Sequence, residues 1–291
     1  MREGRRLRRD PRVVTTVRVE TADGLGLHAE VHGDGPPVLF STGFCQTSEN
    51  FRGQVDPLVA AGYRVILWDY RGHGRSDAPE DPSFYSMDRV VDDLSRVVRA
   101  GAGDRPAVLA GLSFGGLASL HLTLREPERT RALLLIASGP GFKKPEAQAR
   151  WEAMTERTAL RLEARGFDGY VAGSAGPSAI GTRPELPLAA AAGRAIEAQT
   201  PRAVACFGRH VTGPCPTVID DLGRVVAPAL VLVGAEDQAF LRASEVMEAR
   251  LPNATRVVIP EGGHCVNLEQ QAAFDREVTK FLAGLPDAAD S

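Results

Sequence analysis

Several features are missing from this 291-residue chain, and each absence removes a class of function. The cysteines are few: Cys45, Cys206, Cys215 and Cys265 are scattered and lack metal-ligand spacing. Nothing about them demands an oxidising compartment, which points to the cytoplasm. No stretch approaches the ~20 apolar residues that span a bilayer. No apolar segment follows the first residues in the way a signal peptide requires. There is no P-loop, no dinucleotide fingerprint and no H-E-x-x-H pattern, so no cofactor and no metal are expected. A net charge of -3 gives no reason to invoke nucleic acid. Residues 1–12 are a local exception, with Arg2, Arg5, Arg6, Arg8, Arg9 and Arg12, and they read as a basic flexible arm in solvent.

What is present is an ordinary globular composition, 43% hydrophobic and 24% charged. The chain is long enough to bury a large core as one domain with an insertion. Val13–Glu20 and Leu25–Val31 flank Ala22-Asp23-Gly24 and read as an antiparallel hairpin. From Pro37 onward, continuous apolar runs alternate with helical periodicity: strands at 37–41, 63–68, 107–110 and 131–137, and helices at 51–61, 86–100 and 114–126. Ser86 is the expected N-cap of the second helix. The polar loop Asp69–Asp77 is expected to be fixed by a charged pair, Asp69 and Arg71. The alternation breaks between 142 and 225, where only helices are expected. It resumes with strands at 229–234 and 255–259 and helices at 241–250 and 267–282. Such alternation implies a mostly parallel sheet with helices on both faces. The expected organisation is a core of 13–140 and 226–284, a helical cap insertion at 141–225 and a tail at 285–291.

The chemistry centres on Gly111-Leu112-Ser113-Phe114-Gly115. Small residues two before and two after the serine let a strand turn sharply into a helix and leave the hydroxyl proud of the sheet edge. A serine hydroxyl needs a base, and a histidine base is held in one tautomer by a carboxylate. Asp237, after the strand ending at Gly234, and His264, after Gly262-Gly263, complete the order Ser, Asp, His expected of this architecture. All three sit just beyond the carboxyl ends of predicted strands, where ligands bind such sheets. Glu236 is the neighbouring rival to Asp237, and His73 is the rival base. His28 and His32 read as structural, His121 falls inside a helix, and His210 lies in the insertion. The backbone N–H groups of Phe44 and Phe114 are the expected oxyanion donors, with Cys45 as an alternative to Phe44. Phe44, Cys45, Phe114, Phe142, Trp151 and Met154 are the expected substrate-binding residues. Phe167 and Tyr170 are further pocket candidates.

On these residues the chain resembles the α/β-hydrolase superfamily over about residues 25–284. The segment Val65–Asp77, with its D-x-R-G-x-G-x-S-D pattern, is similar to the loop of cap-bearing members. The resemblance implies an eight-stranded sheet, Ser113 as nucleophile, Asp237 as acid and His264 as base, with Phe44 and Phe114 supplying the oxyanion hole. Thr42 stands where the family frequently has histidine. A serine rather than an aspartate at 113 argues against dehalogenase or epoxide hydrolase chemistry. The expected activity is hydrolysis of a carboxylic ester or related acyl bond of a small to medium, partly apolar substrate. Cleavage of a carbon–carbon bond in a diketone, or lyase chemistry at the same site, is the alternative, and a silent small-molecule binder is a third reading. The expected partner is a small-molecule substrate, with neither nucleic acid nor membrane, and homo-oligomer formation is left open.

Overall fold

The short apolar runs become the strands of a single sheet. A computed structural model describes residues 14–286; residues 1–13, with the arginine-rich stretch, and residues 287–291 lie outside the described residues. In chain order the elements are β1 (Val14–Glu20), β2 (Gly26–His32), β3 (Pro37–Ser41), α1 (Val55–Ala60), β4 (Arg64–Trp68), α2 (Met87–Ala102), β5 (Ala107–Leu112), α3 (Phe114–Arg125) and β6 (Thr130–Ile136). Next come α4 (Pro145–Arg165), α5 (Gly176–Ala179), α6 (Pro187–Glu197), α7 (Pro201–Phe207), β7 (Ala229–Gly234), α8 (Gln238–Arg250), β8 (Ala254–Ile259), α9 (Val266–Glu269) and α10 (Gln271–Ala283). The eight strands lie in the order β1-β2-β4-β3-β5-β6-β7-β8. β2 pairs antiparallel with β1 and β4, and every later pairing is parallel.

The central strands β3, β5 and β7 are buried along their whole length, which explains why they read as unbroken apolar runs rather than alternating ones. Their side chains still divide by the period of two. Leu39, Ile66, Leu109, Leu133 and Val231 face the layer made by α2 and α3, where Val90, Leu94 and Leu117 pack. Val38, Phe40, Leu67, Val108 and Leu232 face α1 and α10, meeting Leu58, Phe274 and Val278. The Ser86 side chain accepts a hydrogen bond from the Arg89 N–H at 3.3 Å, capping α2 as its sequence position requires.

Between β6 and β7 the chain makes no strand and builds a helical cap from α4 to α7. α4 starts at Pro145, well before the Trp151 expected from periodicity, because proline fits the first turn of a helix. α7 runs into a wider turn, Gly208–Thr212, with π-helical bonding. The loop after β4 is fixed by charge, but not by the pair expected. Arg71 forms an ion pair with Asp93 at 2.6 Å, both nearly inaccessible, and reaches Asp23 at 2.9 Å. Asp69 instead accepts the backbone N–H groups of Ser48 and Arg75 at 2.7 and 3.0 Å.

Candidate active site

The glycines of the central motif are there because nothing larger fits. A Cβ on Gly111 would lie 2.2 Å from the Gly115 carbonyl carbon, and one on Gly115 would lie 2.2 Å from the Ser41 oxygen. The strand-to-helix turn is therefore tight enough to press the start of α3 against β3. Ser113 sits at its apex with φ 55° and ψ -117°, a strained setting for a residue with a side chain. Its backbone is tied down by its own N–H donating to the Ile136 carbonyl at 2.9 Å. The Ser138 hydroxyl donates to the Ser113 carbonyl at 2.6 Å.

The acid and base loops are folded against each other. A Cβ on Gly234 would meet the Gly262 oxygen at 2.1 Å, and the Glu236 N–H donates to that oxygen at 2.8 Å. Across this contact His264 Nδ1 lies 2.9 Å from Asp237 Oδ2, so Nδ1 carries the proton and donates it. Asp237 is buried, whereas its neighbour Glu236 is exposed, and only the former reaches the imidazole. The other face of His264 packs against Phe240, ring centres 5.0 Å apart.

His73, the rival base, is buried in an aromatic cluster. Its ring centre lies 4.6 Å from Phe207 and 5.8 Å from Tyr70. Nδ1 donates to the Arg71 carbonyl at 3.2 Å and Nε2 has no partner. Burial pushes its pKa down to about 4, so it is a neutral packing group. His28 and His32 flank the Glu30 carboxylate at 3.3 and 3.1 Å on β2, away from this site. Hydrogen bonds from His28, then His32, and the cation of Arg52 hold Glu30 well below the usual carboxylate range. His121 Nε2 donates to the Pro216 carbonyl at 3.0 Å, and His210 is exposed on the cap.

The loop after β3 carries Phe44. Cys45 takes φ 66°, turning the chain back on itself, and Gln46 closes the turn. The Gly43 N–H donates to Gln46 Oε1 at 2.7 Å, while Gln46 Nε2 donates to the Ala179 carbonyl at 3.0 Å and approaches Cys265 Sγ at 3.4 Å. The backbone N–H groups of Phe44 and Phe114 have no partner among the described residues. The second is an orphan donor at the start of α3. Gln199, from the cap, donates to the Cys45 carbonyl at 2.9 Å. A second tie joins cap and base loop: the Glu269 carboxylate accepts the Gly263 N–H and, at 2.8 Å, the Thr182 N–H.

Ser113 opens into two connected arms beneath the cap. One, about 300 Å³, is apolar, with walls of Phe114, Leu117, Phe142, Cys215 and Ala243. The other, about 370 Å³, takes in Gln46, Thr158, Tyr170, Ser178, Asp237 and His264. Phe44, Trp151, Met154 and Phe240 border both. The sequence-derived lining therefore needs two corrections. Cys45 is completely buried and lines neither arm, because its left-handed backbone turns the side chain into the core, where burial pushes the thiol up to about 12. Phe167 is likewise packed away in the core, while Tyr170 does reach the second arm. Trp151 is pinned by its indole N–H donating to the Thr212 carbonyl at 2.6 Å. Gln46, Glu269, Gln199, Leu117 and Phe240 were not among the sequence candidates.

A strained serine, an imidazole oriented by a buried carboxylate and two free amides at one sheet edge are the equipment of hydrolytic enzymes with this α/β architecture. Residues 36–271 match the family described as alpha/beta hydrolase fold, and the chain belongs to that family. A curated protein of Variovorax paradoxus (strain S110), named "Putative carbamate hydrolase RutD", is 33% identical over 267 residues, covering 88% of this chain and 96% of that protein. Among solved structures, a thermophilic esterase from Thermogutta terrifontis superposes with a TM-score of 0.81 at 26% identity, over 93% of this chain and 99% of that one. A hydrolase from Pseudomonas aeruginosa PA01 gives a TM-score of 0.79, also at 26% identity, over 94% and 100%. The protein is an enzyme of the α/β-hydrolase class. No helix among the described residues is long and apolar enough to cross a membrane.

Proposed function

We propose that this enzyme is a cytoplasmic serine hydrolase that cleaves a carboxylic ester, or a related acyl bond, of a small to medium and partly apolar substrate. The observation that carries the reading is the 2.9 Å bond from His264 Nδ1 to buried Asp237, made on the wall of the cavity that also holds Ser113. His264 Nε2 takes the proton from the Ser113 hydroxyl as its oxygen attacks the acyl carbon. The Phe44 and Phe114 N–H groups receive the negative charge that develops on the carbonyl oxygen. Collapse expels the leaving group, protonated by His264, and leaves an acyl group on Ser113. Water then attacks with His264 again as base, and the acid is released. The residues proposed to touch substrate are Phe44, Phe114, Phe142, Trp151 and Met154. The proposed division is a cap of 141–225 over a core of 13–140 and 226–284, with residue 13 outside the described residues. Four free, buried cysteines agree with the intracellular reading.

The names of the two relatives above that state a substrate or activity fit acyl chemistry: a carbamate and an ester both present a carbonyl carbon to the nucleophile. Treatment with a fluorophosphonate, followed by mapping of the adduct, tests the proposal. Labelling at Ser113, absent in Ser113→Ala, together with turnover of at least one short ester, is the expected result. No adduct and no turnover across esters, thioesters, lactones and diketones would overturn it. Turnover confined to diketones would transfer the site to carbon–carbon bond cleavage.

A further inference from the structure

The two arms are not equivalent with respect to the base. His264 and Asp237 line only the more polar arm, whereas the apolar arm reaches Ser113 and Phe114 without touching either. We propose that the substrate is an uncharged ester whose apolar acyl group occupies the arm of Leu117, Phe142 and Ala243 and whose polar alcohol occupies the arm of Thr158, Tyr170 and Ser178. This rests on the serine hydrolase reading above and adds to it the class and orientation of the substrate.

Both proton transfers fix the assignment. In acylation His264 must hand its proton to the departing oxygen, so the alcohol stands beside the imidazole. In deacylation a water must reach the same nitrogen, so the vacated arm must also admit solvent. The His264 arm satisfies both, since Ser174 and Ser178 on its wall are exposed at the cap surface. The acyl group stays on Ser113 through both steps and needs room that does not block that water. The apolar arm is a second space that opens from Ser113. Its walls suit a hydrocarbon group: Leu117 and Phe142 are apolar, and burial pushes the Cys215 thiol up to about 12, keeping it neutral.

Charge sets the other half of the proposal. No lysine or arginine lines either arm, and the acidic side chain present is Asp237. A carboxylate on the substrate would lose its hydration with no counter-ion to replace it. The site therefore selects against anionic acyl groups.

The experiment uses two ester series on the full-length enzyme. One varies the acyl chain with a fixed alcohol, and the other varies the alcohol on a fixed acetyl group. In the wild type, kcat/KM is expected to rise roughly fourfold per acyl methylene until the arm is full. Ala243→Phe should move that break to shorter acyl chains by at least two carbons and leave the alcohol series unchanged. Phe142→Ala, which enlarges the same arm, should move it to longer ones, so the test survives if the first variant fails to fold. Thr158→Phe should cost bulky alcohols at least tenfold without moving the acyl break. A half-ester of a dicarboxylic acid should be turned over at least 100-fold more slowly than the neutral ester of equal length. The assignment is wrong if Ala243→Phe and Phe142→Ala move the alcohol series instead, or both series alike. The neutral-substrate claim is wrong if the half-ester matches the neutral ester. Loss of all ester turnover with Ser113 unlabelled would instead sink the underlying hydrolase reading, and this proposal with it.

Discussion

Removing the Gln46 side chain tests whether the oxyanion loop is held by that one amide. Gln46 is nearly inaccessible and closes two contacts at once: it accepts the Gly43 N–H at 2.7 Å and donates to the Ala179 carbonyl at 3.0 Å. Gln46→Ala leaves the buried Gly43 N–H without a partner, at about 1–3 kcal/mol, while the Ala179 carbonyl keeps its bond from Asn50 at 2.9 Å. A loss of about 1–3 kcal/mol of stability is expected. The catalytic effect is separate. That bond fixes the Thr42–Gly43 peptide, one unit before the peptide that carries the Phe44 N–H, and a lost oxyanion donor costs ~10²–10³ in kcat. Because the Phe44 N–H would be loosened rather than deleted, the expected drop is about 10- to 100-fold in kcat with KM little changed. Gln46→Glu adds a readout that general destabilisation would not produce. A protonated Glu can still accept from Gly43 and donate its O–H to Ala179, whereas a carboxylate cannot donate. Burial raises a carboxyl pKa, so the activity of Gln46→Glu relative to wild type should be highest at low pH and be lost as pH rises through that raised value. Steady-state ester hydrolysis from pH 5 to 9, with thermal melts alongside, measures both. An unchanged kcat in Gln46→Ala, or a ratio for Gln46→Glu that is flat with pH, would refute the reasoning.

Two other perturbations follow from the same geometry. Asp237→Asn should cut kcat by roughly 10³–10⁴-fold by favouring the wrong imidazole tautomer, while Glu236→Gln, exposed and away from the ring, should stay within about twofold; equal losses in the two would reverse the assignment of the acid. His73 is held neutral in the folded state with a pKa near 4, below the ordinary value of 6.5. Its stabilising contribution is therefore full above pH 6.5 and is lost as pH falls towards 4, by about 2 kcal/mol at pH 5. Denaturant melts should show this loss in wild type and a shallower pH dependence in His73→Phe; identical slopes would remove His73 as its source.

The strands, the cap interval and the elbow were legible because each leaves a local mark: an apolar run, a break in alternation, glycines around a serine. Asp237 could be preferred over Glu236 from the turn after β7, and the structure shows why the two differ, since one is buried against the imidazole and the other is in solvent. The ties that hold the site were not legible. Gln46 reaches a carbonyl 133 positions away and Glu269 an N–H 87 positions away, and single polar side chains acting over such separations leave no period to read. Cys45 was misassigned for a related reason. Its place beside Phe44 is visible in sequence, but the left-handed backbone that turns its side chain inward is not. The Asp69–Arg71 expectation failed similarly: both residues anchor the loop, through partners the local sequence does not name.

The ties between core and cap also bear on how such an enzyme can be altered. Caps are natural targets for exchange, since this one is a continuous insertion between two neighbouring strands. Here, however, the segment from Ser178 to Thr182 is bonded by Gln46, Asn50 and Glu269, all of them core residues. Two of these also brace the backbone that presents Phe44 and His264. A transplanted cap would therefore bring a new pocket and at the same time unfasten the machinery beneath it. Recombination at residues 141 and 225 alone is the wrong cut; the unit that can be moved as a working whole includes residues 46, 50 and 269.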